Sequence, residues 1–165
     1  MQIHFITTGG TIDKVYFDAK SDYEIGPPQV EEALKEAGVS FEFSVESVLA
    51  KDSLELTAED RELIRARVAA SPAARIVVTH GTDTMVETAA VLRSVPSKTI
   101  VLTGAMQPAR FRHSDAIFNI GMAVGAVAAL PPGIYIAMNG RIFDPARVQK
   151  NRDKHCFEEI APLSP

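Results

Sequence analysis

The sequence predicts an α/β fold: a doubly wound, three-layer unit built around a mainly parallel sheet. Three observations carry this expectation. Short β-rich runs alternate with helical patterns along the whole length. Two runs, Ile76-Val77-Val78 and Ile100-Val101-Leu102, are continuously apolar, as strands buried on both faces must be. Strands separated by single helices return to the same sheet edge by crossover, which makes neighbouring strands parallel. At 165 residues the chain has the length of one ordinary domain, and residues 1–165 are expected to form a single one.

The first strand is expected at residues 4–7. It lies in Met1-Gln2-Ile3-His4-Phe5-Ile6, which lacks the basic start of a secretion signal. A helix follows over 28–38, with Pro28 placed for its start and Gly38 for its stop. The second strand is expected at 41–49. Thr57-Ala58-Glu59-Asp60 then opens a helix with a capping-box pattern, and Leu63, Ile64, Arg67 and Val68 follow at helical spacing. Strands at 76–79 and 100–103 flank a helix at 84–93. A last helix at 115–130, with Ser114 or Asp115 as its N-cap, precedes a strand at 134–137. The tail 155–165 is expected to be loosely determined. The apolar stretch 117–138 is interrupted by Asn119, Gly121, Gly125, Pro131, Pro132 and Gly133, so no membrane span is predicted.

Seventeen Lys and Arg stand against 21 Asp and Glu, a net charge of −4 without long blocks of one sign, which argues against nucleic acid and anionic membranes as main partners. The single cysteine, Cys156, cannot form an intramolecular disulfide, so a reducing cytoplasm suits the chain. His4, His80, His113 and His155 show no metal-ligand spacing, and no metal site is expected.

In a parallel α/β sheet the ligand crevice lies at the carboxyl ends of the strands. Here those ends read Thr7-Thr8-Gly9-Gly10-Thr11, Lys51-Asp52-Ser53, Thr79-His80-Gly81-Thr82-Asp83-Thr84 and Thr103-Gly104-Ala105-Met106. Hydroxyls and glycine-freed backbone amides are gathered at one edge, where they suit a small ligand and a developing oxyanion. Any one of these segments could equally be a helix cap or a turn; it is the four together that point to a site. A phosphate loop fits poorly, because no Gly-Lys-Ser/Thr ending and no Gly-x-Gly-x-x-Gly is present. A threonine can act as an acyl-transfer nucleophile once a base takes its proton. Candidate bases are Asp83 and Lys150, the latter expected in a loop after the last strand, where it could also be an ordinary surface lysine. His80 is expected to brace its turn. His113-Ser114-Asp115 and His155-Cys156 are not read as catalytic, since adjacent side chains point in different directions.

Thr8-Gly9-Gly10-Thr11-Ile12 and His80-Gly81-Thr82-Asp83-Thr84-Met85 resemble the two signature segments of bacterial-type L-asparaginases. Further matches are Ser21-Asp22-Tyr23-Glu24-Ile25-Gly26, Asp52-Ser53, Val101-Leu102-Thr103-Gly104-Ala105-Met106-Gln107-Pro108, Asp115 with Phe118-Asn119, and Asp144 through Val148 to Lys150. The resemblance runs from Ile3 to about Asn151 and concerns the amino-terminal domain of the two-domain enzyme. It implies that Thr11 is the nucleophile with Tyr23 near its hydroxyl, and that Thr82, Asp83 and Lys150 form a second, activating group. It also implies that Ser53 and the main chain of Asp52 hold the substrate α-carboxylate, that Thr82 and Asp83 meet the substrate, Asp83 at its α-ammonium, and that the main chain at Ala105 contacts the leaving amide. No cofactor is implied.

The chain departs from the family pattern at Leu54, where a polar residue is common, and at Asp13, where a small one is frequent. The family's carboxy-terminal domain is not expected in residues 1–165. The resemblance therefore implies a short, single-domain form that closes its site with a lid over residues 13–26, with a second copy in a homodimer, or with both. The expected activity is hydrolysis of L-asparagine to L-aspartate and ammonia. An amino-acid-binding regulatory module and an amidotransferase-associated glutaminase are the alternatives.

Overall fold

The computed structural model describes residues 1–17 and 22–160. In chain order the elements are β1 (Gln2–Gly9), β2 (Lys14–Phe17), β3 (Asp22–Ile25), α1 (Val30–Glu36), β4 (Glu42–Lys51), α2 (Ala58–Ala70), β5 (Arg75–Thr79), α3 (Met85–Leu92), β6 (Thr99–Thr103), α4 (Ala116–Ala129), β7 (Gly133–Met138), β8 (Arg141–Phe143), β9 (Val148–Asn151) and β10 (Cys156–Glu159). The expected five strands and four helices are present. The main sheet has six strands in the order β4-β1-β5-β6-β7-β8, all parallel to their neighbours except β8, which runs antiparallel on the edge.

Alternation along the strands divides the core into two layers. Ile76, Val78, Ile100 and Leu102 pack with Ile64 and Val68 of α2 and Met85, Ala89 and Leu92 of α3. Val77 and Val101 point the other way, onto Val30 and Leu34 of α1 and Ala116, Ile120, Ala123 and Val127 of α4. Because both faces of β5 and β6 are covered, their sequences are apolar throughout, which is why they read so clearly as central strands. Helix α2 begins with the expected capping box: the Thr57 hydroxyl accepts from the Asp60 amide, and the Asp60 carboxylate accepts from the Thr57 amide.

Several expectations are corrected. The tail is not loose at its start, since Cys156–Glu159 pairs antiparallel with Val148–Asn151; residues 161–165 lie outside the described residues. Phe157 anchors this hairpin in the core beside Phe143, with ring centroids 6.4 Å apart. Lys150 therefore sits in a strand rather than a loop. The segment expected as a lid contains β2 paired antiparallel with β3; residues 18–21, with Lys20 and Ser21, lie outside the described residues. Asp115 occupies the N-cap position of α4 without capping it. Its carboxylate instead accepts from the Met106 and Gln107 amides and from Asn119 Nδ2, while the Ser114 hydroxyl accepts from the Ala116 amide.

Candidate active site

The chain passes from β1 to β4 on one side and then to β5 on the other, so the sheet order reverses between β1 and β5. Beyond the carboxyl ends of such a pair the two following loops diverge and leave a crevice. The loop after β1 carries Thr11 and the loop after β5 carries Thr82. The two threonine segments thus reach one place for a topological reason.

They also touch. Gly10 has φ +88°, and a Cβ there would lie 2.5 Å from the Gly81 amide nitrogen. Only glycine satisfies both the backbone angle and the approach. A Cβ at Gly81 would in turn lie 2.6 Å from the Ser53 hydroxyl, which brings the loop after β4 into the same contact. The Thr8 hydroxyl donates to the Thr79 carbonyl at 3.0 Å and the Thr84 hydroxyl to the Ser53 carbonyl at 2.7 Å. Three strand ends are therefore fastened by backbone contact and short hydroxyl bonds.

His80 is fully buried, and its ring serves as a brace. A carbonyl can only accept, so Nδ1 donates to the Gly81 carbonyl at 2.7 Å, and Nε2 accepts from the Thr88 hydroxyl at 2.8 Å. Burial, opposed by the Gly81 carbonyl, pushes the imidazole pKa down to about 4, so the ring is neutral and both its nitrogens are committed. It is not available as a base.

Among the expected site residues, Thr82, Asp83 and Lys150 come together. The Lys150 ammonium donates to Thr82 Oγ1 at 2.7 Å and to Asp83 Oδ1 at 3.0 Å, across 68 and 67 positions of sequence. Arg152, mostly exposed, approaches the same Asp83 oxygen at 3.3 Å. Thr11 and Tyr23 face a separate part of the crevice, a cleft of about 360 Å³ also lined by Lys14, Asp22, Pro108 and Phe111. Tyr23 is held edge-on between Tyr16 and Phe111, with centroids 5.5 and 5.9 Å away.

Ser53 is 1% exposed, and among the described residues its hydroxyl has no hydrogen-bond partner, a cost of about 1–3 kcal/mol. Asp52 stands beside it. Burial works to raise its pKa, but the Lys14 ammonium at 3.0 Å, the Leu54 amide and the charge of Lys150 hold it below the ordinary aspartate value. Ala105 is buried in the α4-side core directly after Gly104, whose carbonyl accepts from Asn119 Nδ2 at 3.0 Å. Among the described residues no group of His, Cys, Asp and Glu is arranged to hold a metal.

In the sequence Asp13 stands out only as a departure from the family pattern, and Lys14 and Phe111 carry no signal of their own. Asp13 is 2% exposed and closes the base of the β2–β3 hairpin: Oδ1 accepts from the Gln29 amide at 2.9 Å and its carbonyl from the Gly26 amide at 2.8 Å. Burial, partly offset by the Gln29 amide, raises its pKa to about 6. An acid next to the apolar Ile12, close behind two glycines, is the one sequence signal that could have marked this tie.

The model of the amino-terminal asparaginase domain matches residues 2–160. The chain belongs to the asparaginase family. The glutaminase-asparaginase of Acinetobacter glutaminasificans is 31% identical over 173 residues, an alignment covering 92% of this chain and 51% of that enzyme. A glutamyl-tRNA(Gln) amidotransferase component of Methanococcus vannielii is 46% identical over 71 residues, 42% of this chain and 17% of that protein. The solved thermostable L-asparaginase of Thermococcus kodakarensis superposes with a TM-score of 0.84 at 28% identity, over 99% of this chain and 52% of that one. The chain thus spans about half the length of the Acinetobacter enzyme and of the Thermococcus structure.

Proposed function

We propose that the chain is an amidohydrolase that cleaves the side-chain amide of L-asparagine to L-aspartate and ammonia. The observation that carries this reading is the hydrogen-bonded group Lys150–Thr82–Asp83, which sits at the sheet's switch point against the Thr11 loop. Thr11 attacks the amide carbon while Tyr23 helps take up its proton, ammonia leaves, and water then hydrolyses the acyl-threonine to release L-aspartate and free Thr11. The Thr82–Lys150–Asp83 group supplies the charge that activates the hydroxyl and delivers a proton to the leaving nitrogen. Main-chain amides near Thr11 and Thr82 receive the oxyanion. The orphaned Ser53 hydroxyl and the main chain of Asp52 take the α-carboxylate, Thr82 and Asp83 meet the substrate on the ammonium side, and the main chain at Ala105 meets the amide. No cofactor enters this reading, and a cytoplasmic location remains part of it.

The cleft beside Thr11 is rimmed by exposed rings rather than enclosed, and water weakens every charge interaction there. Closure by the β2–β3 hairpin, by a second copy in a homodimer, or by both completes the proposal. Ammonia release measured separately with L-asparagine, L-glutamine and D-asparagine tests it. Turnover of L-asparagine that disappears in Thr11→Ala supports the reading. Binding of L-asparagine without ammonia release would instead favour an amino-acid-binding regulatory module. Glutamine as the better substrate would favour an amidotransferase-type glutaminase.

A further inference from the structure

Thr11 opens a short 3-10 turn, Thr11–Asp13, and the Lys14 amide at its end donates to the Thr11 carbonyl. A 3-10 turn has three residues per turn, so side chains three positions apart eclipse one another. Thr11 and Lys14 accordingly line the same cleft. The Lys14 ammonium is held by Asp52, 3.0 Å away and directly before Ser53. An ammonium has three donors, and one aspartate oxygen occupies one of them.

The remaining charges are distributed unevenly. Lys150 is committed to Thr82 and Asp83, and Arg152 leans on Asp83 from solvent. Of the described residues lining the cleft beside Thr11, Lys14 is the cation and Asp22 the acid, with Pro108, Tyr23 and Phe111 forming apolar walls. Without Lys14 an anionic substrate group entering there would meet Asp22 and Asp52 with, among the described residues, only Lys150, already committed to Thr82 and Asp83, to oppose them. With it, the group meets a positioned ammonium in a half-dry setting, where a charge-assisted hydrogen bond is strongest.

Resting on the amidohydrolase reading, we infer that Lys14 is a substrate-binding and specificity-determining residue whose ammonium pairs with the α-carboxylate of the substrate, with Asp52 holding it in place. The chain then selects free α-carboxylates over amidated or peptide-linked ones.

The test compares L-asparagine with L-asparaginamide, which replaces the α-carboxylate by a neutral carboxamide, in wild type, Lys14→Met and Lys14→Arg. Lys14→Met should raise KM for asparagine about 10-fold or more, leave kcat within about threefold, and leave asparaginamide nearly unaffected. Lys14→Arg should restore most of the preference. Equal losses on both substrates would make the Lys14–Asp52 pair a structural tie only and overturn the inference while leaving the amidohydrolase reading intact. Calorimetric binding of L-aspartate against its α-amide, L-isoasparagine, separates the two claims. A wild-type preference for L-aspartate that Lys14→Met removes supports the inference even in a protein without turnover. Equal binding of both ligands by wild type, or no binding of either, overturns it.

Discussion

The two halves of the crevice are built differently. Around Thr82 the polar side chains are wired to one another: Lys150 bridges Thr82 and Asp83, and His80 locks the turn from beneath. Around Thr11 the control is by backbone, through a 3-10 turn, a glycine contact and a hairpin root, and the surrounding rings are partly exposed. Proton handling needs fixed distances between donors and acceptors, and side-chain bonds supply them before any ligand arrives. A nucleophile, the role proposed for Thr11, needs access, and a backbone-held turn suits that role. The preorganised half and the accessible half are therefore separate pieces of chain joined at Gly10 and Gly81.

The largest effect should come from breaking the wired half. Lys150→Met should lower kcat by about 10²–10⁴-fold with little change in melting temperature, since methionine keeps the aliphatic stem of a side chain that is only 15% exposed. Thr11→Ala should match it in rate while leaving binding of L-aspartate intact; a tenfold weaker aspartate affinity would mean that the Thr11 half also organises the pocket.

Disturbing the joint between the halves should cost less but affect both. Gly10→Ala places a Cβ 2.5 Å from Gly81 at φ +88°, and strain plus overpacking predict about 2–5 kcal/mol of destabilisation in chemical denaturation. Stability within about 1 kcal/mol of wild type would show that the contact relaxes freely and that the halves are not mechanically coupled.

The hairpin root should show a change of opposite sign. Asp13 has its pKa raised to about 6 from 3.8, so the folded state holds the proton more tightly than the unfolded chain does. Its contribution to stability is full below about pH 4, declines as pH rises to about 6 and is lost above that. Asp13→Asn should flatten this slope and leave the protein more stable than wild type at pH 7, by up to about 3 kcal/mol, with the difference vanishing near pH 4. Parallel denaturation curves at both pH values would refute this. The smallest effect is expected for Arg152→Ala, which removes an exposed partner of Asp83 and should change kcat/KM by less than about threefold.

The central strands and their helices were legible because their signals are local: β-branched runs at 76–78 and 100–102, and the Thr57 capping box. The small hairpins were not. Lys14–Phe17 and Asp22–Ile25 are only four residues each, too short for Val15-Tyr16-Phe17 to stand out as a strand, and their pairing rests on cross-strand neighbours such as Tyr16 and Tyr23. The strand that holds Lys150 is fixed by Phe157 landing beside Phe143, a tertiary contact invisible to periodicity. Asp115 misleads for the same reason. An aspartate just before a helix reads as a cap, but amides nine and eight residues upstream outcompete the helix end. At the site, Thr11, Ser53 and Thr82 could be found because each follows a strand. Lys14 could not, because its usefulness arises only when a 3-10 turn folds it onto Thr11.

The struts of the crevice have one more property in common: each spans a long stretch of chain. The Thr8 hydroxyl reaches 71 positions to Thr79, Lys150 reaches 68 to Thr82, and Thr84 reaches 31 to Ser53. Parallel strands joined by crossovers delay such closures, because loop entropy is lost before any contact compensates for it. The hairpin bearing Lys150 also leaves the ribosome after every strand of the main sheet. A nascent or partly refolded molecule can therefore own a complete central sheet and still be chemically silent, so that the appearance of turnover during refolding would time the docking of that hairpin rather than the collapse of the core.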